Sequence, residues 1–178
     1  MKMIKKAIRL AIEAHQNQKR KGSDLPYIEH PIHVGMLLIK ANQTDHVVVA
    51  GILHDTLEDT TVTEEQLRSE FGEEVLFLVQ AASEPEKDLP WKERKQHTIE
   101  HIKESSQEAQ MIILCDKLSN IMDMEADLLV HGDALWGIFN AGYEDQKWYY
   151  DSLAEALENL NDIDLYQDFS QRVMLIFK

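Results

Sequence analysis

Apolar residues recur at helical spacing along nearly the whole chain. Ile4, Ile8, Ala11 and Ile12 mark one face of a first helix. The pattern stops at "KRKGSDLP", where Gly22 and Pro26 interrupt it. Pro31 suits the first turn of a second helix, which runs to about Lys40. "DHVVVAGILHD" is β-branched enough for a strand, but it does not alternate and flows into polar residues at helical spacing. A buried helix beginning near Asp45 is expected there. Thr63 and Gln66 make a capping-box pattern for a short helix ending at Phe71-Gly72. Another helix reaches about Ala82, and "SEPEKDLP" reads as a loop. Residues 91–104 read as an amphipathic surface helix broken by Ser105-Ser106. Residues 107–130 form a long, partly buried helix closed by His131-Gly132, and 143–160 and 165–177 supply the last two. Only seven glycines and four prolines punctuate the chain, and no repeat or linker divides it. The expectation is one compact all-α domain over residues 1–178.

Composition narrows what that domain can do. At 178 residues, 44% of them hydrophobic, the chain can bury a core of its own. Its net charge of −14 argues against nonspecific binding to nucleic acid or to an anionic membrane. A single cysteine, Cys115, excludes an intrachain disulfide and suits a reducing compartment. No apolar run is long enough for a signal peptide or a bilayer span, so a cytoplasmic protein is expected.

The densest chemistry lies in "GILHDTLEDT", where an apolar run ends in a histidine and three acids. Charge at the edge of a core costs free energy unless something compensates it. On a continuous helix His54, Asp55, Glu58 and Asp59 would fall at about 0°, 100°, 40° and 140°, on one face. His54 and Asp55 could then reach one metal ion, with Glu58 and Asp59 one turn further on. Imidazole nitrogen with carboxylate oxygen suits Mn²⁺, Fe²⁺ or Zn²⁺. The same residues could also be a solvated helix end. His30, before Pro31, is either a ligand or a packing histidine, and Asp116, after five apolar residues in "MIILCDKLSN", pairs with a metal or with a lysine.

Taken in order, these residues resemble the HD metal-dependent phosphohydrolases. "HQNQKRKGSDLPYIEHPIHV", "AGILHDTLEDTTVTEEQLRSEFG" and "LCDKLSNIMDM" are similar to the hydrolase domain of the RelA/SpoT family, in particular its stand-alone small alarmone hydrolases. The resemblance covers about residues 4–157 and implies a helical HD-domain fold. It implies that His30, His54, Asp55 and Asp116 hold one metal ion, usually Mn²⁺, and that Glu58 and Asp59 handle the attacking water. Arg20 and Lys21 match a basic pair near the nucleotide, and Tyr27, Asn120 and Tyr149 match substrate-pocket positions. The implied reaction removes the 3′-diphosphate of guanosine tetra- or pentaphosphate.

Two departures bear on the substrate. Family members often carry a lysine where this chain has Ile113 and an arginine where it has Met122. With those charges gone, another phosphorylated nucleotide, such as the 2′-phosphate of NADPH, is the alternative, and a noncatalytic nucleotide-sensing domain is a third. "HTIEH", His97 to His101, has the letters of an inverted zinc-protease motif but reads as a solvated helix face. His15, His33, His46 and His131 lack partners at ligand spacing. Trp136, Trp148 and Tyr150 read as core, and Lys92, Arg94 and Lys95 as a solvated helix start.

Overall fold

The computed structural model describes residues 1–22, 24–84 and 89–178. Among the described residues ten α-helices run in order: α1 Lys2–Ala14, α2 Glu29–Lys40, α3 Asp45–Leu53, α4 Thr56–Asp59, α5 Glu64–Phe71, α6 Glu73–Ala82, α7 Trp91–Glu104, α8 Gln107–His131, α9 Tyr143–Ala156 and α10 Asp164–Ile176. Short 3₁₀ turns follow α8 and α9. Among the described residues the one extended pairing is an isolated bridge between Lys19 and Pro26. The fold is all-α, and among the described residues no helix is long and apolar enough to cross a membrane. Of the expected loop "SEPEKDLP", residues 85–88 lie outside the described residues, as does Ser23 of "KRKGSDLP".

The chain forms two compact units, Met1–Ser83 with Ser106–Asp116, and Glu84–Ser105 with Lys117–Lys178. In the first, α3 is the centre. The Thr44 hydroxyl accepts the Val47 N–H at 3.4 Å and starts the helix. Every residue from Val47 to Leu53 is buried, so α3 has no solvated face, and burial on all sides overrides the strand preference of its valines. It packs against α1, α2 and α6.

The α2–α3 pair matters most for the chemistry. Asn42 takes φ of 54° in the turn between them, and the Gln43 N–H donates back to the Leu38 carbonyl at 3.1 Å. The chain reverses there, and the start of α2 meets the end of α3. Two glycines let the helices close. A Cβ on Gly35 would lie 2.6 Å from Ile52 Cγ1, and one on Gly51 would lie 2.2 Å from Leu38 Cδ1. Downstream, the Thr63 hydroxyl accepts the Gln66 N–H at 3.2 Å and starts α5. Gln66 itself turns to Glu70 at 3.0 Å, so only half of the capping box forms. Gly72, at φ +90°, separates α5 from α6.

In the second unit α9 packs on α7 and on α10. The expected helix over 143–160 stops at Ala156, where Leu157 leaves helical geometry and a 3₁₀ turn closes the end. Tyr150 is core as expected and stacks on Phe177 at 5.4 Å, whereas Trp136, edge-on to Tyr143 at 5.1 Å, and Trp148, 6.3 Å from Trp91, are only half-buried.

Candidate metal centre

The helix expected to run through His54 and on to Asp59 is broken. α3 ends at Leu53, and α4 restarts at Thr56 as a separate turn of four residues. Side chains bond to backbone carbonyls on either side of the break. His54 Nδ1 binds the Gly51 carbonyl at 2.7 Å, the Thr56 hydroxyl donates to Leu53 at 2.6 Å, and the Thr60 hydroxyl donates to Thr56 at 2.6 Å. The break is local, since His54 and Asp55 both keep right-handed helical dihedrals. His54 and Asp55 occupy the junction, and the acids lie on a turn tied back by the Asp59 N–H to the Asp55 carbonyl at 3.0 Å.

The break aims a ligand. With Nδ1 committed to Gly51, His54 presents Nε2 to the interior, where the residue is 2% exposed. Around it stand His30 Nε2 and one oxygen each from Asp55 and Asp116. His54 Nε2 lies 3.0 Å from Asp55 Oδ2 and 3.8 Å from Asp116 Oδ1. His30 Nε2 lies 3.1 Å from Asp116 Oδ1 and 3.8 Å from Asp55 Oδ2. Metal–ligand bonds of about 2.0–2.2 Å put neighbouring ligand atoms about 3.0–3.6 Å apart, so this spacing fits one ion. His54 Nε2 is buried and makes no hydrogen bond despite its 3.0 Å approach to Asp55. The short distance lacks hydrogen-bond alignment, as expected of atoms turned toward a common centre. His30, His54 and Asp116 thus form a buried donor set that a divalent cation would compensate, with an Asp55 oxygen 3.0 Å from His54 Nε2 beside it.

The charges respond to this crowding. Burial opposes ionisation of Asp55, but the adjoining His54 imidazole outweighs it and holds the carboxyl well below the usual range. Burial likewise opposes a charge on His54, and the Asp55 carboxylate overrides it, pushing the imidazole up to about 9. His30 goes down, because burial dominates there. A metal would reverse the trend at His54, since ligation takes the neutral ring. Burial pushes the Cys115 thiol up to about 12, and the residue is core, as expected.

The other candidate residues divide between the two units. In the first, the Tyr27 hydroxyl donates to Asp55, and the Arg20 guanidinium lies 5.9 Å from the Tyr27 ring. Lys21 is exposed, Glu58 half-buried and Asp59 exposed. Asn120 and Tyr149 belong to the second unit, where Tyr149 is buried with Trp91 against it at 5.9 Å.

There the reading of Arg94 and Lys95 as a solvated helix start is corrected. Both are less than one-fifth exposed and grip Glu84, at 2.6 and 2.8 Å, while Lys95 lies 5.0 Å from the Tyr149 ring. Glu84 is 10 and 11 residues away, a separation with no periodic signature in sequence. His97 and His101 are exposed on α7, as expected. His15, which has no partner at ligand spacing, is 1% exposed and bonds Gln18 at 2.7 Å. The three-residue separation was the available signal.

Residues 7–131 match the HD domain family. The guanosine-3′,5′-bis(diphosphate) 3′-pyrophosphohydrolase MESH1 of Danio rerio is 39% identical over 125 residues, covering 68% of this chain and 69% of that protein. The human MESH1 is 41% identical over 117 residues, 64% of this chain and 65% of its own. A crystal structure of a Listeria monocytogenes protein superposes with a TM-score of 0.78 at 36% identity, covering 83% of this chain and 98% of that one. A metazoan SpoT ortholog, described as hydrolysing ppGpp, superposes at 0.77 and 28% identity over 99% of this chain and 94% of that one.

Proposed function

The chain belongs to the HD-domain family, among the RelA/SpoT-type hydrolases, and from that membership we propose that it hydrolyses guanosine tetra- and pentaphosphate to GDP or GTP and pyrophosphate. The observation that carries the reading is the buried convergence of His30, His54, Asp55 and Asp116, four ligand atoms spaced for one ion. These four would hold a divalent metal; mixed imidazole and carboxylate donors suit Mn²⁺, Fe²⁺ or Zn²⁺, and from the family resemblance we propose Mn²⁺, one per chain. When bound, the ion supplies positive charge against the phosphate oxygens and makes a water easier to deprotonate.

The rest is the work of this chain's own side chains. His54 is held in one orientation by the Gly51 carbonyl, and Asp55 by the Tyr27 hydroxyl. Glu58 and Asp59 take the proton from the attacking water and return one to the leaving 3′-oxygen. The water oxygen bonds to the phosphorus, and the bond from phosphorus to the 3′-oxygen breaks. Two neighbouring acids titrate as a set, so the two proton tasks belong to the pair. Arg20 and Lys21 offer positive charge to the substrate, Arg20 with a planar guanidinium that can fork onto phosphate. The family resemblance further assigns substrate contacts to Tyr27 of the first unit and to Asn120 and Tyr149 of the second. The whole chain acts as one cytoplasmic HD phosphohydrolase whose partner is a phosphorylated purine nucleotide.

The alternative substrate rests on Ile113 and Met122. Ile113 is 4% exposed, and neither residue brings charge where relatives of this type often do. Product analysis decides. The Mn²⁺-loaded protein is incubated with guanosine tetraphosphate, guanosine pentaphosphate and NADPH, beside Glu58→Gln and Asp59→Asn. The expected result is pyrophosphate from the guanosine nucleotides, at least about a hundredfold slower in each variant, with metal content unchanged. Inorganic phosphate from NADPH alone would replace the substrate, and wild-type rates in both variants would remove the acids from the chemistry.

A further inference from the structure

The side chain of Gln18 joins two parts of the first unit that are far apart in sequence. Its Oε1 accepts from His15 Nδ1 at 2.7 Å, and its Nε2 donates to the Asp59 carbonyl at 2.6 Å, 41 residues away. The Gln18 backbone carbonyl accepts the Tyr27 N–H at 2.9 Å, and Tyr27 donates its hydroxyl to Asp55. His15 is 1% exposed, and its ring lies 5.0 Å from that of Tyr27. Neither His15 nor Gln18 has a part in the reaction as described so far.

The Asp59 end of this link has a physical need. α4 has four residues, too few to hold a helical turn unaided. Its last carbonyls have no partners within the helix. Thr60 takes the Thr56 carbonyl, and Gln18 takes that of Asp59. An amide can present either its oxygen or its nitrogen, and a hydrogen bond at one end selects the other. His15 claims the oxygen and so turns the nitrogen toward Asp59.

We propose that Gln18, oriented by His15, is a positioning residue that fixes the Glu58–Asp59 turn against the Asp55 ligand. One arm, through its backbone and Tyr27, reaches the metal ligand, and the other, through its side chain, reaches the acidic turn. Substitution of the side chain cuts only the second arm. The inference rests on the proposed role of Glu58 and Asp59. Small misplacements of reacting groups cost up to about a hundredfold in rate, so the effect belongs in turnover.

The test compares Gln18→Met, Gln18→Glu, His15→Leu and His15→Asn with the parent protein. Met keeps length without hydrogen bonds, and Glu keeps the acceptor for His15 but sets an oxygen against the Asp59 carbonyl. Asn at position 15 keeps a donor close to where Nδ1 stands. The readouts are kcat and KM on guanosine tetraphosphate, metal per chain, and amide hydrogen exchange over residues 57–62. Gln18→Met, Gln18→Glu and His15→Leu should lower kcat about ten- to hundredfold, with KM within about twofold and metal unchanged. Exchange over 57–62 should quicken, and His15→Asn should recover most of the loss. An unchanged kcat in Gln18→Met, a loss that follows metal content, or His15→Asn no better than His15→Leu would overturn the proposal. If the parent protein leaves the nucleotide intact, the functional reading fails by itself. Exchange then decides the positioning role, and equal exchange in Gln18→Met and the parent overturns it.

Discussion

Replacing Gly51 with alanine should weaken the metal centre without touching any of its ligands. A Cβ there would stand 2.2 Å from Leu38 Cδ1, whereas carbon atoms in contact sit about 3.5–4.0 Å apart. Leu38 is fully buried and has nowhere to swing, so α2 and α3 must separate or Leu38 must leave its rotamer. Overpacking of this kind costs about 1–3 kcal/mol. Alanine is the better helix former by about 1 kcal/mol, which leaves a net loss of about 0–2 kcal/mol. In a chain this size each kcal/mol moves Tm by about 2–4 °C, so the melting point should fall by no more than about 8 °C. The larger effect falls on the ion. α2 carries His30, and the Gly51 carbonyl is the group that orients His54. Ligands displaced by more than about 0.5 Å leave their productive geometry. Loss of an orienting partner typically weakens metal binding about 10–100-fold. Thermal melts with and without chelator, and competition titration against a metal buffer, measure both quantities. Gly137→Ala is the control, since a Cβ there meets nothing within 4 Å. The reasoning fails if Gly51→Ala binds metal as tightly as the control.

Two other outcomes follow from the same geometry. His54→Ala or Asp116→Ala should drop bound metal well below one per chain and abolish the gain in Tm that added Mn²⁺ gives the parent, as read by elemental analysis and melting; full metal content in either variant contradicts the ligand set. In the second unit, burial opposes ionisation of Glu84, but Lys95, Lys117 and Arg94 outweigh it and hold its folded pKa below the unfolded 4.5. Its stabilisation is therefore present above pH 4.5 and lost as pH falls through the lower folded value. Glu84→Gln should flatten the acid limb of the stability curve measured by denaturant titration from pH 6 to pH 3, and an unchanged slope would refute the assignment.

The helices were legible in the sequence because their determinants are local. Apolar spacing, the threonine caps of α3 and α5, and Gly72 and Gly132 at positive φ act within a few residues of the element they shape. The chemical character of "HDTLED" was legible too, since charge that ends an apolar run demands compensation wherever the chain goes. What the pattern could not carry was where that helix breaks. Helical spacing alone assumes an unbroken ladder, whereas α3 ends at Leu53 and α4 restarts at Thr56, with the His54 and Thr56 side chains bonded to the Gly51 and Leu53 carbonyls at the junction. Nor could periodicity bring His30 beside His54, which needed a chain reversal and two glycines thin enough to let α2 meet α3. Glu84 with Arg94 and Lys95, and Gln18 with Asp59, are likewise pairings across 10, 11 and 41 residues. A hydrogen bond forms where two atoms meet in space, and over such separations only the packed fold decides which atoms meet.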